Sequence, residues 1–217
     1  MDTLFKFVLF FLFVSVPCNA NNLKINGLVD KLLDTVAKSF KEAGTDMQAI
    51  DNMEEHFTAL FMNGGLIASG GVFGNLSSVK RTGDATIDIK EDGASVVVSF
   101  GLGECNIYFK SCNAWLGYLS LTEELYATVD KNSLEAKISL NISGDDCITT
   151  LDDMHLTQLS GWEVDIKGLS IISYIVDNIV DWIIYWYEDY IKDTLESQLK
   201  SSIADELMNV DFCSLIS

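Results

Sequence analysis

The sequence predicts a single α+β domain in which long helices are wrapped by a curled antiparallel sheet. Three observations carry that expectation. An apolar segment with helical periodicity stands near each end of the chain. The stretch between them, from about residue 56 to 169, alternates with period two. Its strands follow one another through short turns made by Gly, Asn and Asp, with no low-complexity linker and no tandem repeat. Consecutive strands joined by short turns predict an antiparallel meander.

The first twenty residues read as a leader rather than as part of the fold. Lys6 is followed by an apolar run over Phe7–Val16, then Pro17 and the small cleavage-type residues Cys18-Asn19-Ala20. This is the pattern of a secretory signal cleaved after Ala20. The apolar run is too short for a comfortable membrane anchor. The expected organisation is therefore a signal peptide over 1–20 and one domain over 21–217, secreted to the extracellular space.

Leu23 to Ala43 reads as the first helix. Ile25, Leu28, Val29, Leu32, Leu33, Val36 and Phe40 recur at helical spacing, and Gly44 is the expected C-terminal cap. Thr45 to Glu55 reads as a polar connection. Ala85, Ile87 and Ile89 then alternate with polar residues, Glu91-Asp92-Gly93 signals a hairpin, and Val96, Val98 and Phe100 alternate again. Ile107, Phe109 and Trp115 share one face of the next stretch if it is unbulged. Leu134, Ala136, Ile138, Leu140 and Ile142 form a further strand, Ser143-Gly144-Asp145-Asp146 a tight turn, and 147–167 the last strand region.

Residues 170–208 carry the second helical pattern, about 39 residues or nearly 60 Å. Its first half has the length of a membrane span, but Asp177 and Asp181 lie inside it. Each would cost about 2.5–3.5 kcal/mol at mid-bilayer, which favours a half-buried helix outside the membrane. The aromatic cluster Trp182, Tyr185, Trp186, Tyr187 and Tyr190 cannot all face one core. It reads first as a helix wrapped by sheet on most sides, and second as a pocket mouth or an interface.

The chain carries 32 acidic and 14 basic residues, a net charge of −18, and Arg81 is its only arginine. Such a surface repels nucleic acid and anionic bilayers and favours a soluble monomer. Four cysteines remain after the leader: Cys105, Cys112, Cys147 and Cys213. An even count in an exported chain predicts two disulfides. Cys105 and Cys112 lie on one extended stretch, about 23 Å apart along seven residues of strand, so that pair is disfavoured and the other two pairings stay open. Asn75-Leu76-Ser77 and Asn141-Ile142-Ser143 are glycosylation sequons at Asn75 and Asn141.

Nothing in the sequence assembles a reaction centre. His56 and His155 are the only imidazoles and read as surface residues. Neither a nucleophile elbow, nor a phosphate loop in its strand-turn-helix context, nor a metal-ligand spacing is present. No enzyme, cofactor or metal is expected. A sheet curled on two apolar helices rarely closes perfectly, and the gap is a natural apolar pocket. The inward residues Ile87, Val98, Phe100, Phe109 and Ile138 are expected to meet Ile175, Ile179 and Ile183 around a small hydrophobic or amphipathic ligand. The alternative is an interaction protein that uses its exposed aromatic surface without a bound ligand.

Gly65-Leu66-Ile67-Ala68-Ser69-Gly70, then Leu76-Ser77-Ser78-Val79-Lys80-Arg81-Thr82-Gly83-Asp84-Ala85, together with Glu91-Asp92-Gly93 and Gly168-Leu169-Ser170-Ile171, resemble the group-7 mite allergen family in order and spacing. The likeness runs over nearly the whole mature chain. It implies a single half of the tubular lipid-binding fold, shared with juvenile-hormone-binding and takeout-like carriers and with bactericidal/permeability-increasing proteins. It implies carriage of a lipid-like molecule. Neither a disulfide nor a ligand residue is carried over. Some of those bactericidal proteins engage lipopolysaccharide through basic surfaces; here Lys80-Arg81 is the only adjacent basic pair.

Overall fold

The computed structural model of the chain describes residues 18–59, 61–143, 146–166 and 173–216. Residues 1–17, most of the expected 1–20 leader, the turn residues Gly144-Asp145 and the junction 167–172 lie outside the described residues, as does the side-chain setting of 173–180. Two helices, α1 (Cys18–Ala43) and α2 (Ser173–Leu207), pack on one antiparallel sheet of nine strands. These are β1 (Met47–Ile50), β2 (Met53–Ala59), β3 (Met62–Gly74), β4 (Val79–Arg81), β5 (Thr86–Lys90), β6 (Gly93–Leu102), β7 (Asn106–Leu116), β8 (Leu119–Ser143) and β9 (Asp146–Ile166).

The organising strand is β8. Its 25 residues span about 80 Å at strand rise. β9 pairs along one edge, while β7 and then β6 pair end to end along the other. β3 adds to β7, and β1 and β2 lie in line on the far side of β3. β4 and β5 add to β6. The sheet is antiparallel as expected, but its order is not that of a simple meander. β7 leaves β6 and pairs with β3, because β6 and β7 are both too short to cover β8 alone.

The molecule therefore has two ends. The tip end carries the β2–β3 and β7–β8 turns and the start of α2. The tail end carries the β5–β6 and β8–β9 turns and the C-terminal 3-10 turn Phe212–Leu215. α1 packs on β4, β5, the 3-10 turn Leu76–Ser78 and the C-terminal 3-10 turn, and so covers the tail half. Arg81 fixes it there, donating to Asp30 from Nε at 2.6 Å and from Nη2 at 3.2 Å. α2 runs the other way, from the tip to the tail, along β9.

Local chemistry explains the boundaries. Gly44, at φ +67, closes α1: its N–H donates to Lys41 O and that of Thr45 to Phe40 O, at 3.2 and 3.0 Å. This Schellman arrangement satisfies two of the last helical carbonyls. The hairpin read at Glu91-Asp92-Gly93 forms with Lys90 opposite Gly93. A side chain at Gly93 would run into the Leu140 carbonyl. Thr45–Glu55 is not a loop: β1 and part of β2 occupy it, hydrogen-bonded to the glycine-rich β3.

A crease crosses the sheet between its halves. Gly70 takes φ +66 and donates its N–H to Asn52 Oδ1 at 3.2 Å, where β1 gives way to β2. In line with it, β7 slips register on β8 between Phe109 and Cys112. Tyr108 and Tyr126 both donate their hydroxyls to Glu124 on the outer side, at 3.0 and 3.1 Å. A bulge increases twist and bends the strand. It also reverses the face parity: Ile107 and Phe109 are buried with Cys112, Ala114 and Leu116, and Trp115 points outward. The expectation that Trp115 shares the face of Phe109 fails for that reason.

Candidate functional site

The inner face of the tip half sets several small residues among larger ones. Gly64, Ala68, Ala114 and Ala127 stand beside Leu66, Leu125 and Val129. The tail half is filled instead by Phe100, Leu134, Ile138 and Leu140, all at most 1% exposed. The covering layers also differ. The tail half lies under both helices, whereas in the tip half α2 is the covering helix. Phe57, Leu121, Trp162, Val164, Ile166 and Trp182 are accordingly left half-buried against the core. The tip half thus sets small buried side chains beneath a single helix, with half-buried apolar ones at its edges.

The aromatic cluster latches α2 over this face. Trp182 packs on Phe57 with ring centroids 5.1 Å apart, and Tyr187 on Phe109 at 5.5 Å. Trp186 Nε1 donates to Glu55 Oε1 at 2.7 Å. The hydroxyls of Tyr187 and Tyr190 donate to the main-chain carbonyls of Asp51 and Ala49, at 2.8 and 3.2 Å. Burial pushes the Tyr187 phenol above its ordinary range. One side of the helix thus holds the β1–β2 bend, while Tyr185 and Trp186 remain exposed.

The sequence-predicted lining residues separate into two groups. Phe109 and Ile183 are buried in the half covered by the start of α2. Val98, Phe100 and Ile138 lie in the tail half, at most 3% exposed, and Ile87 packs partly buried against the same core. Leu134 pairs with Phe100 and with Leu156, whose N–H donates to Glu196 Oε1 at 2.8 Å. The helix residues level with that group are therefore Leu195 and Leu199, about 20 Å along α2 from Ile183. Ile175 and Ile179 lie in α2, with side chains outside the described residues. Open depressions of about 360 and 420 Å³ flank the Cys147–Cys213 disulfide at the tail end, lined by none of the predicted residues.

Cys147 and Cys213 form one disulfide, with Cα atoms 6.1 Å apart. Cys105 and Cys112 are free and buried. Two bridges were expected, and the correction has a physical reason. Geometry does keep Cys105 from Cys112, but both side chains belong to the packed core, where a thiol behaves as a small apolar group. Burial pushes each up to about 12. Native protein at pH 8.5 is expected to take up no iodoacetamide. Unfolding without reductant should expose two reactive thiols. Labelling of Cys105 or Cys112 in the folded state would contradict this packing.

The remaining polar candidates point away from this face. His56 lies in register with Gly65 and Trp115 on the outer face, its ring 5.5 Å from that of Trp115 and its Nε2 3.0 Å from Glu54. His155 is exposed beside Asp153 at 3.1 Å. Asn141 is exposed on β8; Asn75 takes φ +68 and donates its amide to Glu104 at 3.1 Å. Arg81 is engaged by Asp30 and Asp84. Among the described residues no group of acidic, His and Cys side chains could hold a metal ion, and no helix is long and apolar enough to cross a membrane.

Antiparallel helices clasped by a long curled sheet define the fold class of the crystal structure of lipopolysaccharide binding protein. That structure superposes with a TM-score of 0.50 at 12% identity, over 83% of this chain and 36% of its own. The present chain thus spans little more than a third of that protein's length. Takeout 1 of Epiphyas postvittana aligns over 85% of this chain and 87% of its own, at 10% identity and a TM-score of 0.37. A search of curated proteins by sequence found no match. The Group 7 allergen family model matches residues 24–207, and the chain belongs to that family.

Proposed function

We propose that the protein is a secreted, non-enzymatic binder of a small apolar or amphipathic, lipid-like molecule, held in a trough between the first half of α2 and the tip half of the sheet. One observation supports the reading: an inner face where small residues stand among larger ones under a single helix, edged by half-buried Leu121, Trp162, Val164 and Ile166. Burying such surface yields about 25 cal/mol per Å² and needs no charged anchor. The leader pattern and the Cys147–Cys213 disulfide support export. The outward histidines support binding over catalysis. The acidic exterior supports a monomer that avoids nucleic acid, and the sequons Asn75 and Asn141 are its glycan acceptors.

The test separates the trough from the tail half. Leu121→Trp fills the trough and is expected to weaken a fluorescent fatty-acid probe about tenfold or more. Ile87→Trp, on the outer margin of the tail half, should leave the probe's affinity within about twofold. Equal effects of the two substitutions, or a wild-type protein that ignores the probe and yields no lipid on organic extraction from its source, would refute this reading.

A further inference from the structure

The two turns at the tip end carry side chains that the fold does not require there. Phe61 and Tyr118 are fully exposed and Leu119 is 60% exposed. The β2–β3 hairpin closes between Ala59 and Met62, and the β7–β8 hairpin between Leu116 and Leu119. Gly117 N–H donates to Asn63 O at 2.8 Å, which sets the two turns side by side. Gly117, at φ +59, is the residue type such a turn favours. Phe61 has the same φ of +59, where an aromatic residue is strained. An apolar ring is thus kept in water at a position that disfavours it twice, by solvation and by backbone.

The charge pattern says what covers these rings. No charged residue occurs from Phe57 to Val79, nor from Ser111 to Thr122, in a chain with 32 acidic and 14 basic side chains. The acidic coat is interrupted around these two turns, and no cation replaces it in either run. Such a surface has nothing to attract an anionic partner, and nothing to repel an uncharged one. Amphipathic rings free of neighbouring charge suit the boundary between headgroups and acyl chains. A second copy of the chain is a poor fit: Phe61, Tyr118 and Leu119 offer about 500 Å², short of the roughly 800 Å² per partner of a stable dimer.

We propose that the tip end docks on zwitterionic lipid surfaces, with Phe61 and Tyr118 inserting into the interface. The inner face proposed to hold the ligand lies in this same half of the sheet, so a lipid leaving the surface would have a short path beneath α2. That route rests on the function proposed above; the docking does not.

The test uses purified protein and phosphatidylcholine vesicles in a co-sedimentation series with rising NaCl. The wild type should bind and stay bound as salt rises, because apolar burial is not screened. Phe61→Gly relieves the backbone and should fold at least as stably, yet bind about 10- to 100-fold more weakly. Tyr118→Ser should weaken binding in the same direction, and Ile89→Ser, an exposed apolar residue at the tail end, should not. A soluble fatty-acid probe delivered without vesicles should still load the Phe61→Gly variant; loss of probe binding by every form speaks against the trough and leaves the docking result standing. A wild type that ignores these vesicles overturns the proposal. So does one that binds only anionic vesicles at low salt, one that dimerises through Phe61, or a Phe61→Gly protein that binds as the wild type does.

Discussion

Cys147→Ser is expected to lower the free energy of unfolding by about 3–4 kcal/mol. The bridge joins residues 66 apart in sequence, so its loss frees a long loop in the unfolded chain. The native contacts at stake explain why the loss should be global. The C-terminal segment buries Val210 and Phe212 and reaches α1, where Lys24 Nζ donates to the Ser214 carbonyl. The disulfide holds that segment against the start of β9, so it ties α1, α2 and the edge of the sheet together. Urea unfolding of Cys147→Ser, Cys213→Ser and the double variant is the measurement. The three should coincide, because each removes the same bond. A loss below about 1 kcal/mol, or a double variant much weaker than either single, would show that the segment is held by packing alone.

What the sequence made legible depended on the range of the interaction. α1 and its Gly44 cap, the Glu91-Asp92-Gly93 hairpin and the alternation through Val96, Val98 and Phe100 are written within a few residues of themselves. They formed as read, except that α1 begins at Cys18, ahead of Leu23 and within the expected 1–20 leader. β1 and β2 are each too short to show a period, and they are interrupted at Asp51-Asn52. What makes them strands comes from far away: Gly71–Gly74 on β3, and the hydroxyls of Tyr187 and Tyr190 on α2. Trp115 changed faces because a bulge opposite Glu124 leaves no mark in composition. The four cysteines were counted correctly but paired by arithmetic, and arithmetic cannot tell a core thiol from a bridge.

The candidate site shows the same limit. The identity of the inward residues was legible, since period two gave Val98, Phe100, Phe109 and Ile138. Their partners on α2 were not, because no sequence pattern sets how far a helix is displaced along a sheet. Glu196 sets it here by accepting the Leu156 N–H. The uncharged runs around Phe61 and Tyr118 were visible in the sequence. Their meaning emerges only when β3 and β7 pair and bring the two turns to one end.

Asn132→Ala is the second substitution expected to have a large effect, about 2–4 kcal/mol of destabilisation. β8 passes straight through the polar stretch Asp130-Lys131-Asn132-Ser133. On this edge the strand has lost β7 beyond Thr128 and has not reached β6 at Leu134. The Asn132 side chain supplies the missing rung. Its Oδ1 accepts the Leu102 N–H at 2.6 Å and its Nδ2 donates to the Leu102 carbonyl at 3.1 Å. It is buried, and at Gly101 a side chain would meet its main-chain carbonyl. Alanine leaves both Leu102 groups without a protein partner. Asn132→Asp keeps the shape and the acceptor but sets a carboxylate against the Leu102 carbonyl. Its ionised form is disfavoured in the folded state, so its folded pKa rises above the unfolded value of about 3.9. The sign follows: stability is regained as pH falls through the folded pKa and lost as pH rises through it. Urea midpoints at pH 7.5 and pH 5 should therefore draw the Asp variant toward the wild type at the lower pH, while the Ala variant keeps its deficit. An Ala variant within about 1 kcal/mol of the wild type would mean that water replaces the amide and that the junction of β6 and β7 does not depend on it.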